Sequence, residues 1–361
     1  MKKQADIMTR IPGKKLHLNR IALIFIPLAI LFSCITPDAG ESSDKIRVIF
    51  DTDIGADIDD ALALAMLYNY MNMGWIDMMA VMSCKDHPYS PRYIDVMNLW
   101  YGYPDLPIGI VIDGVKHDTS SYTRHVVEME ADGKPLFGRS LQDGQELPVA
   151  VSLYRKLLSE SLDSSVVIIA VGQSTNLARL IDSEPDEYSS LTGLELVSRK
   201  VDYLSIMAGN FLEGRPETNI FNDSASAARV LEAWPTEIWF SPYHVGMASP
   251  YPGESMISDF AKVDFHPLVE AYKSYQPMPY DRPTWDLTSV LFAVEKDSSY
   301  FTISPPGKVS LVFAPNFEHH VVTHFTPHPQ GKHRYLSVYE KQAKRIQKRL
   351  IEMVSMDQVN K

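Results

Sequence analysis

The sequence is poor in cysteine, has no excess of basic residues and contains no apolar run as long as a membrane-spanning helix needs. Its two cysteines, Cys34 and Cys84, cannot form a disulfide framework. Lys and Arg number 34 against 45 Asp and Glu, so the formal net charge is -11, and no basic patch with interleaved aromatic residues is present. The sequence therefore predicts no binding to nucleic acid.

What the chain does contain is typical of a soluble globular protein. Hydrophobic residues make up 45% and charged residues 22%, and the 24 Pro and 18 Gly follow no period. A length of 361 residues suits one large domain or two ordinary ones. Because we find neither a repeat nor an interdomain linker after residue 45, we expect a single domain over residues 46–361.

The first 33 residues have the pattern of a lipoprotein signal peptide. Basic residues precede an apolar run at 21–32, which is about the length of a signal-peptide core. The run ends in Leu31-Phe32-Ser33-Cys34, which resembles a bacterial lipobox. Cleavage before Cys34 would leave this residue to carry the lipid chains. The alternatives are an uncleaved anchor helix and a plain secretory signal.

Residues 34–45 are rich in Ser, Pro, Gly and acidic residues, which predicts a flexible tether. We therefore expect a periplasmic or cell-surface lipoprotein that contacts the membrane only through its anchor at Cys34.

From Lys45 onward, short β-branched or apolar runs alternate with amphipathic stretches, the pattern of βαβ units around a parallel sheet. The fold class predicted is α/β: a mainly parallel open sheet flanked by helices, with a C-terminal β-hairpin and helix. Residues 113–147 show no clear periodicity and are predicted to form a long loop over the strand ends. The predicted strands are 47–50, 75–82, 107–112, 166–171, 204–208, 237–241, 309–315 and 320–325, and the predicted helices 60–70, 92–100, 150–159, 176–181, 286–294 and one from Ser337.

The segment from Asp51 to Asp60, DTDIGADIDD, places five carboxylates within ten residues, where the first strand ends and a helix begins. Carboxylates this close repel one another unless a cation neutralises them, and Ca²⁺ or Mg²⁺ binds several oxygen ligands. Open α/β sheets also bind ligands outside the carboxyl ends of their strands. A divalent metal site is therefore favoured over a solvated turn with helix caps. An Asp-x-Asp phosphatase with Asp51 as nucleophile is a further alternative.

Four segments together resemble the inosine-uridine preferring nucleoside hydrolase family, over roughly residues 46–340. The segment DTDIGADIDDALAL, residues 51–64, is similar to the N-terminal signature of the family. The later segments follow in the order that the family shows: 172–178 (GQSTNLA), 207–210 (MAGN) with 216–219 (PETN) and Asp223, and 282–286 (RPTWD).

The resemblance implies calcium-dependent hydrolysis of the N-glycosidic bond of ribonucleosides or a related ribosyl compound. It assigns Ca²⁺ binding to Asp53, Asp60, Asp286 and the Thr175 carbonyl, and the catalytic role of proton acceptor to Asp53. The residues that it implies for substrate binding are Asp59, Asn210, Glu217, Asn219 and Trp285.

Trp285 departs from the family pattern. Well-known members have a histidine there, which protonates the departing base, whereas an indole cannot donate a proton usefully. Trp285 could instead stack on a base or sugar ring, or belong to the core. His87, His117 and His125 are candidate replacements for the missing acid.

Two functions therefore stand after the sequence alone. One is an N-ribohydrolase with a small ribosyl substrate; the other is a catalytically inactive metal- and sugar-binding lipoprotein. A homo-oligomer is compatible with either.

Overall fold

A computed structural model describes residues 45–116, 121–142, 144–314 and 320–359. These residues belong to one compact unit, 43–361. The predicted signal peptide, Cys34 and His117 lie outside the described residues, and so does the tether except for Lys45. Within the described ranges, no helix is long and apolar enough to cross a membrane.

Strands and helices alternate along most of the described chain. The strands are β1 (Ile46–Thr52), β2 (Ile76–Lys85), β3 (Ile108–Val115), β4 (Glu130–Ala131), β5 (Lys134–Pro135), β6 (Val166–Ala170), β7 (Val201–Met207), β8 (Glu237–Ser241), β9 (Thr302–Ile303), β10 (Gly307–Phe313), β11 (Val321–Pro327) and β12 (His333–Ser337). The helices are α1 (Asp59–Asn72), α2 (Tyr89–Tyr101), α3 (Ser121–Glu128), α4 (Ala150–Ser159), α5 (Thr175–Ile181), α6 (Gly193–Lys200), α7 (Thr218–Asn222), α8 (Ser224–Ala233), α9 (Tyr243–Ala248), α10 (Gly253–Ser258), α11 (Pro267–Tyr275), α12 (Trp285–Glu295) and α13 (Glu340–Val359).

The main sheet has the strand order β11-β10-β12-β8-β7-β6-β1-β2-β3. The strands from β12 to β3 in this order pair in parallel, whereas β10 pairs antiparallel with both β11 and β12. The mainly parallel sheet, the C-terminal hairpin and the C-terminal helix confirm the predicted fold class.

Successive side chains of a strand point to opposite faces of the sheet. Both faces of this sheet carry apolar residues, and helices cover both of them. In β1, Val48 and Phe50 belong to one core cluster and Ile49 to the other, and all three are fully buried. The first cluster includes α1 and α12, and the second includes α4, α5 and α8. Helix α1 is buried along almost its whole length, which explains why its sequence is apolar on every side.

The sequence prediction was wrong for part of 113–147, which contains α3 as well as loop. Tyr122, Val126 and Val127 are the buried apolar residues of this helix, and their spacing was the available signal. The C-terminal helix begins at Glu340, not at Ser337, because Ser337 still belongs to β12 and follows Leu336, which pairs with β9. Helices α6, α8 and α11 were missed as well.

Candidate metal and sugar site

A cavity of about 330 Å³ lies at the carboxyl ends of the parallel strands. Strands β2 and β3 continue the sheet from one side of β1, and β6, β7 and β8 continue it from the other. The loops after β1 and β6 therefore diverge, which opens a crevice at this point of an α/β sheet. The residues lining the cavity are Asp53, Ala56, Asp57, Asp59, Asp60, Val171, Met207, Glu217, Thr218, Asn219, Asn222, Tyr243, Trp285 and Asp286.

Three buried carboxylates converge on one side of this cavity. Asp59 and Asp60 lie in the first turn of α1, and Asp286 lies in the first turn of α12. Each offers an oxygen, and these oxygens lie within 4.8 Å of one another. Burial, reinforced by the neighbouring carboxylates, raises the pKa of all three well above the usual range. The positive charges of Lys85 and Arg282 act in the opposite direction but do not offset this effect.

The hydrogen bonds of these carboxylates support a metal site. One oxygen of Asp60 accepts a hydrogen bond from the Thr52 hydroxyl, whereas its Oδ2 is buried without a hydrogen-bond partner among the described residues. Asp59 Oδ2 accepts a hydrogen bond from the Asp286 backbone nitrogen at 3.2 Å, which ties α12 to α1. A buried acceptor without a donor is costly, and a hard divalent cation would satisfy it.

Asp53 lies next to this carboxylate set but has a different environment. Its Oδ2 accepts a hydrogen bond from Gln173 Nε2 at 2.7 Å. The close packing needs Gly172, since a Cβ there would lie 2.7 Å from the Asp53 backbone nitrogen and 2.5 Å from Cys84 Sγ. The segment after β6 therefore fixes the position of the Asp53 carboxylate. Gln173 was missed as a site residue, although it lies within a segment that the resemblance identified.

A buried lysine accompanies the acidic residues. Lys85 ends β2 and is only 2% exposed. Burial lowers the pKa of its ammonium group, while the negative charges of Asp53 and Asp60 act in the opposite direction. Lys85 therefore supplies positive charge behind the carboxylates from a position where it does not line the cavity.

Asp51 holds the strand ends together beneath the cavity. Its Oδ2 accepts hydrogen bonds from Tyr154 Oη at 2.9 Å and Asn176 Nδ2 at 3.2 Å. Burial raises its pKa to about 7 against the effect of these hydrogen bonds. Asp51 does not line the cavity. Its hydrogen bonds connect β1 to α4 through Tyr154 and to α5 through Asn176.

Glu217 and Asn219 line the same cavity as the three carboxylates. The Glu217 carboxylate accepts hydrogen bonds from the backbone nitrogens of Gly209, Asn219 and Ile220 at 2.8 to 3.2 Å. Asn219 Nδ2 donates to the Val171 carbonyl at 2.9 Å. These contacts fix both side chains at the cavity wall before any ligand arrives.

Two other predicted residues lie outside the lining. Asn210 is buried, and its Oδ1 accepts a hydrogen bond from the Glu213 backbone nitrogen at 3.2 Å. Thr175 begins α5, and its hydroxyl donates to Asp223 Oδ2 at 2.5 Å. Their assignments to sugar and metal remain predictions.

Two aromatic residues, Trp285 and Tyr243, also line the cavity. The rings of Trp285 and Tyr243 stack with centroids 5.5 Å apart, and Trp285 Nε1 donates to the Tyr243 carbonyl at 2.9 Å. A Cβ at position 246 would lie 2.5 Å from Trp285 Cα and from its Cδ1, so Gly246 is needed for this packing. Trp285 therefore presents a fixed aromatic surface at the cavity.

Sequence reasoning missed the residues that close the acidic loop over α1. Arg282 forms an ion pair with Asp57, and its guanidinium lies 5.1 Å from the ring centroids of both Tyr275 and Trp285. The Tyr122 hydroxyl accepts from the Gly55 backbone nitrogen at 2.6 Å and donates to the Asp57 carbonyl at 2.7 Å. These contacts come from distant parts of the chain, and no local pattern reveals them.

Comparison with known proteins places this geometry in context. The model of the inosine-uridine preferring nucleoside hydrolase family matches residues 48–314. No curated protein sequence matches the chain.

Solved structures share the fold. The purine-preferring ribonucleoside hydrolase from Gardnerella vaginalis is 13% identical with a TM-score of 0.65, covering 87% of this chain and all of its own. The inosine-uridine preferring nucleoside hydrolase from Bacillus anthracis is 16% identical with a TM-score of 0.61, covering 85% of this chain and 99% of its own. The type III effector protein XopQ, solved in complex with adenosine diphosphate ribose, is 13% identical with a TM-score of 0.58, covering 86% of this chain and 94% of its own.

Proposed function

Because the chain belongs to the inosine-uridine preferring nucleoside hydrolase family, we propose that it hydrolyses the N-glycosidic bond of purine ribonucleosides or a related ribosyl compound in a calcium-dependent reaction. The observation that carries this proposal is the set of buried carboxylates, Asp59, Asp60 and Asp286, beside Asp53 in one cavity. Nucleoside hydrolases among the solved relatives and the ADP-ribose complex of XopQ support a ribosyl substrate.

The donor set fits calcium, because it consists of hard carboxylate oxygens and includes one buried oxygen without a hydrogen-bond partner in the described chain. Asp53, Asp60, Asp286 and the Thr175 carbonyl are the proposed ligands, and Asp59 is the proposed partner of a ribose hydroxyl. When bound, Ca²⁺ supplies positive charge that polarises the attacking water and the ribose diol.

Asp53 is the proposed proton acceptor. The carboxylate that Gln173 orients takes the proton from the water that attacks the anomeric carbon. Positive charge develops on the sugar as the bond to the base breaks, and the surrounding carboxylates stabilise it. Glu217 and Asn219, already fixed by backbone contacts, orient the sugar hydroxyls, with Asn210 assigned to the same task.

The leaving group is proposed to be a purine stacked on Trp285. None of the described residues that line the cavity is a histidine, and His117 lies outside the described residues. We therefore propose that the departing purine takes up its proton from solvent water. His87 and His125 do not line the cavity. An aromatic surface formed by Trp285 and Tyr243 holds a flat ring system in a fixed orientation. The purine preference in the printed name of the Gardnerella relative supports this choice.

Release of free ribose from a panel of purine and pyrimidine nucleosides tests the proposal. The purified protein should release ribose from purine nucleosides in the presence of calcium and stop when a chelator is added. Silence across the panel despite calcium binding would contradict it.

A second candidate is a metal- and sugar-binding protein without turnover, which Trp285 at the position of the usual acid favours. The variant Asp53→Asn separates the two functions. It abolishes ribose release if Asp53 is the proton acceptor, whereas an inactive protein shows no release that the substitution could remove.

We also propose that Cys34 carries a lipid anchor, so that the enzyme is a periplasmic or cell-surface lipoprotein. The support is the lipobox-like sequence before Cys34. Growth with a radiolabelled fatty acid should label the wild-type protein and leave the variant Cys34→Ser unlabelled. No label in the wild type, or equal labelling of both proteins, would contradict lipidation.

A further inference from the structure

The loop between β1 and α1 is held from outside by the hydroxyl of Tyr122, which belongs to helix α3. This acidic loop, residues 53–58, places Asp53 and Asp57 on the cavity wall. We propose that Tyr122 is a positioning residue for the metal site, because it keeps the acidic loop in the conformation in which Asp53 and Asp60 face one ion. The inference rests on the proposed function, since the ion belongs to that function.

One hydroxyl group bridges two backbone groups of the acidic loop. Tyr122 Oη accepts a hydrogen bond from the Gly55 nitrogen at 2.6 Å and donates one to the Asp57 carbonyl at 2.7 Å. The chain turns sharply between these two groups, because Gly55 has a φ of 105°, a conformation that favours glycine. Between the loop's own backbone groups, the described structure shows one hydrogen bond, from Ala56 to Asp53 at 3.1 Å. The loop therefore depends on side chains from outside for its shape.

Helices α2 and α3 supply these outside contacts from a packed core. Tyr122 is buried, and its ring packs edge-to-face on Tyr93 and Tyr275, with ring centroids 5.7 Å and 6.1 Å apart. Ser90, in the first turn of α2, donates a further hydrogen bond to the loop, to the Ile54 carbonyl at 2.7 Å. The Tyr122 hydroxyl therefore has a fixed position before a metal ion arrives.

Loss of this hydroxyl leaves the Gly55 N–H and the Asp57 carbonyl without their partner. Gly55 is buried, and a buried backbone group without a partner is costly, so the loop shifts to a conformation that satisfies it. Such a shift moves Asp53 relative to Asp60, because these residues lie at the two ends of the loop. An ion that needs both carboxylates then binds the fraction of chains that keep the native loop, which lowers its apparent affinity. Tyr122 does not line the cavity, so the reaction is unchanged once the ion is bound.

Calcium titration by calorimetry compares the wild-type protein with Tyr122→Phe, which removes the hydroxyl and keeps the ring. We expect the dissociation constant for calcium to rise about tenfold, the contribution of one buried hydrogen bond. Excess calcium should restore kcat for inosine toward the wild-type value, which a failure to fold would not allow. The backbone amides of residues 53–58 should also exchange hydrogen faster in chelator than those of the wild type.

Tyr93→Phe is the matched control. Tyr93 is also buried and packs against Tyr122, but its hydroxyl donates to the Pro267 carbonyl at 3.4 Å, outside the acidic loop. This variant should bind calcium as the wild type does, and its loop amides should exchange at the wild-type rate.

Wild-type calcium affinity in Tyr122→Phe, unchanged exchange of residues 53–58, or an equal effect in both variants overturns the proposal. Ribose release is measured alongside, so that the two claims fail separately. Weaker calcium binding in Tyr122→Phe without ribose release from any of the three proteins supports the role of Tyr122 but refutes the proposed enzyme. Calcium-dependent release with equal calcium affinity in all three proteins refutes the role of Tyr122 alone. No calcium binding by the wild type refutes both.

Discussion

At the scale of single residues, Lys85 shows how the acidic cavity is held together before a metal binds. Its buried ammonium offsets part of the negative charge of Asp53 and Asp60. Removing one member of a buried charge set costs about 3–5 kcal/mol, because the remaining charges lose their partner. Calcium supplies positive charge to the same carboxylates and therefore reduces that cost.

We therefore expect Lys85→Met to lower the free energy of unfolding by about 3 kcal/mol in chelator and by clearly less in calcium. Urea denaturation under both conditions measures the difference. Lys200→Met is the matched control, because Lys200 pairs with Asp163 and lies just before β7, at the amino ends of the parallel strands and away from the cavity. It should lose equal stability with and without calcium, and a calcium-independent loss in Lys85→Met would refute this role.

Trp285 is the residue on which the choice of leaving group depends. Replacement by Ala removes the stacking surface, and we expect kcat/KM for inosine to fall about 10- to 100-fold, with Phe retaining most of it. The loss should be smaller for p-nitrophenyl ribofuranoside, whose single ring offers less surface for stacking than a purine does. Steady-state kinetics on both substrates provide the measurement. Equal losses would mean that Trp285 merely keeps the cavity in shape.

At the scale of elements, the join between β12 and β10 depends on a neutral histidine. His333 begins β12, and its Nδ1 accepts a hydrogen bond from the Val309 backbone nitrogen at 2.8 Å. Burial and the nearby Lys308 lower its pKa from 6.5 to about 4. The unfolded chain therefore takes up a proton at a higher pH than the folded protein does. Stability is fully present above pH 6.5 and is lost as the pH falls toward 4.

Since one pKa unit corresponds to about 1.4 kcal/mol, His333 accounts for a loss of about 3 kcal/mol between these limits. His333→Asn keeps an acceptor without the titration, so its free energy of unfolding should fall less between pH 7 and pH 4 than that of the wild type. His328→Asn is the control, because His328 also accepts a backbone hydrogen bond but is exposed. Identical pH dependence in wild type and His333→Asn would contradict the account.

The elements that the sequence predicted well are those with a strong local signal. The fully apolar strand β6 and the buried helix α1 have the composition that their burial requires. The acidic loop between β1 and α1 contains the motif DTDIGADIDD, which is recognisable in the sequence alone. Helix α3 was missed because its neighbours are polar and it is short. Tyr122 and Arg282, which contact this loop, were missed because a contact between residues far apart in sequence produces no periodic pattern in the sequence.

At the scale of the whole molecule, the strand order decides where chemistry can occur. Strand β1 lies between β6 and β2. The acidic loop, the segment after β6 and the start of α12 therefore meet at the carboxyl ends of the parallel strands. The resemblance identified each of these segments separately, and the topology brings them together. The Arg282 to Asp57 ion pair then fixes the acidic loop against the segment before α12.

Titration of the purified protein with calcium by calorimetry tests the central claim, that the converging carboxylates form a metal site, most directly. We predict one calcium ion per chain and loss of that binding in Asp286→Asn. Asp281→Asn is the control, because Asp281 lies outside the carboxylate set and accepts a hydrogen bond from the Gly253 backbone nitrogen instead. No calcium binding, or equal binding by Asp286→Asn and the wild type, would contradict the metal site and the mechanism built on it.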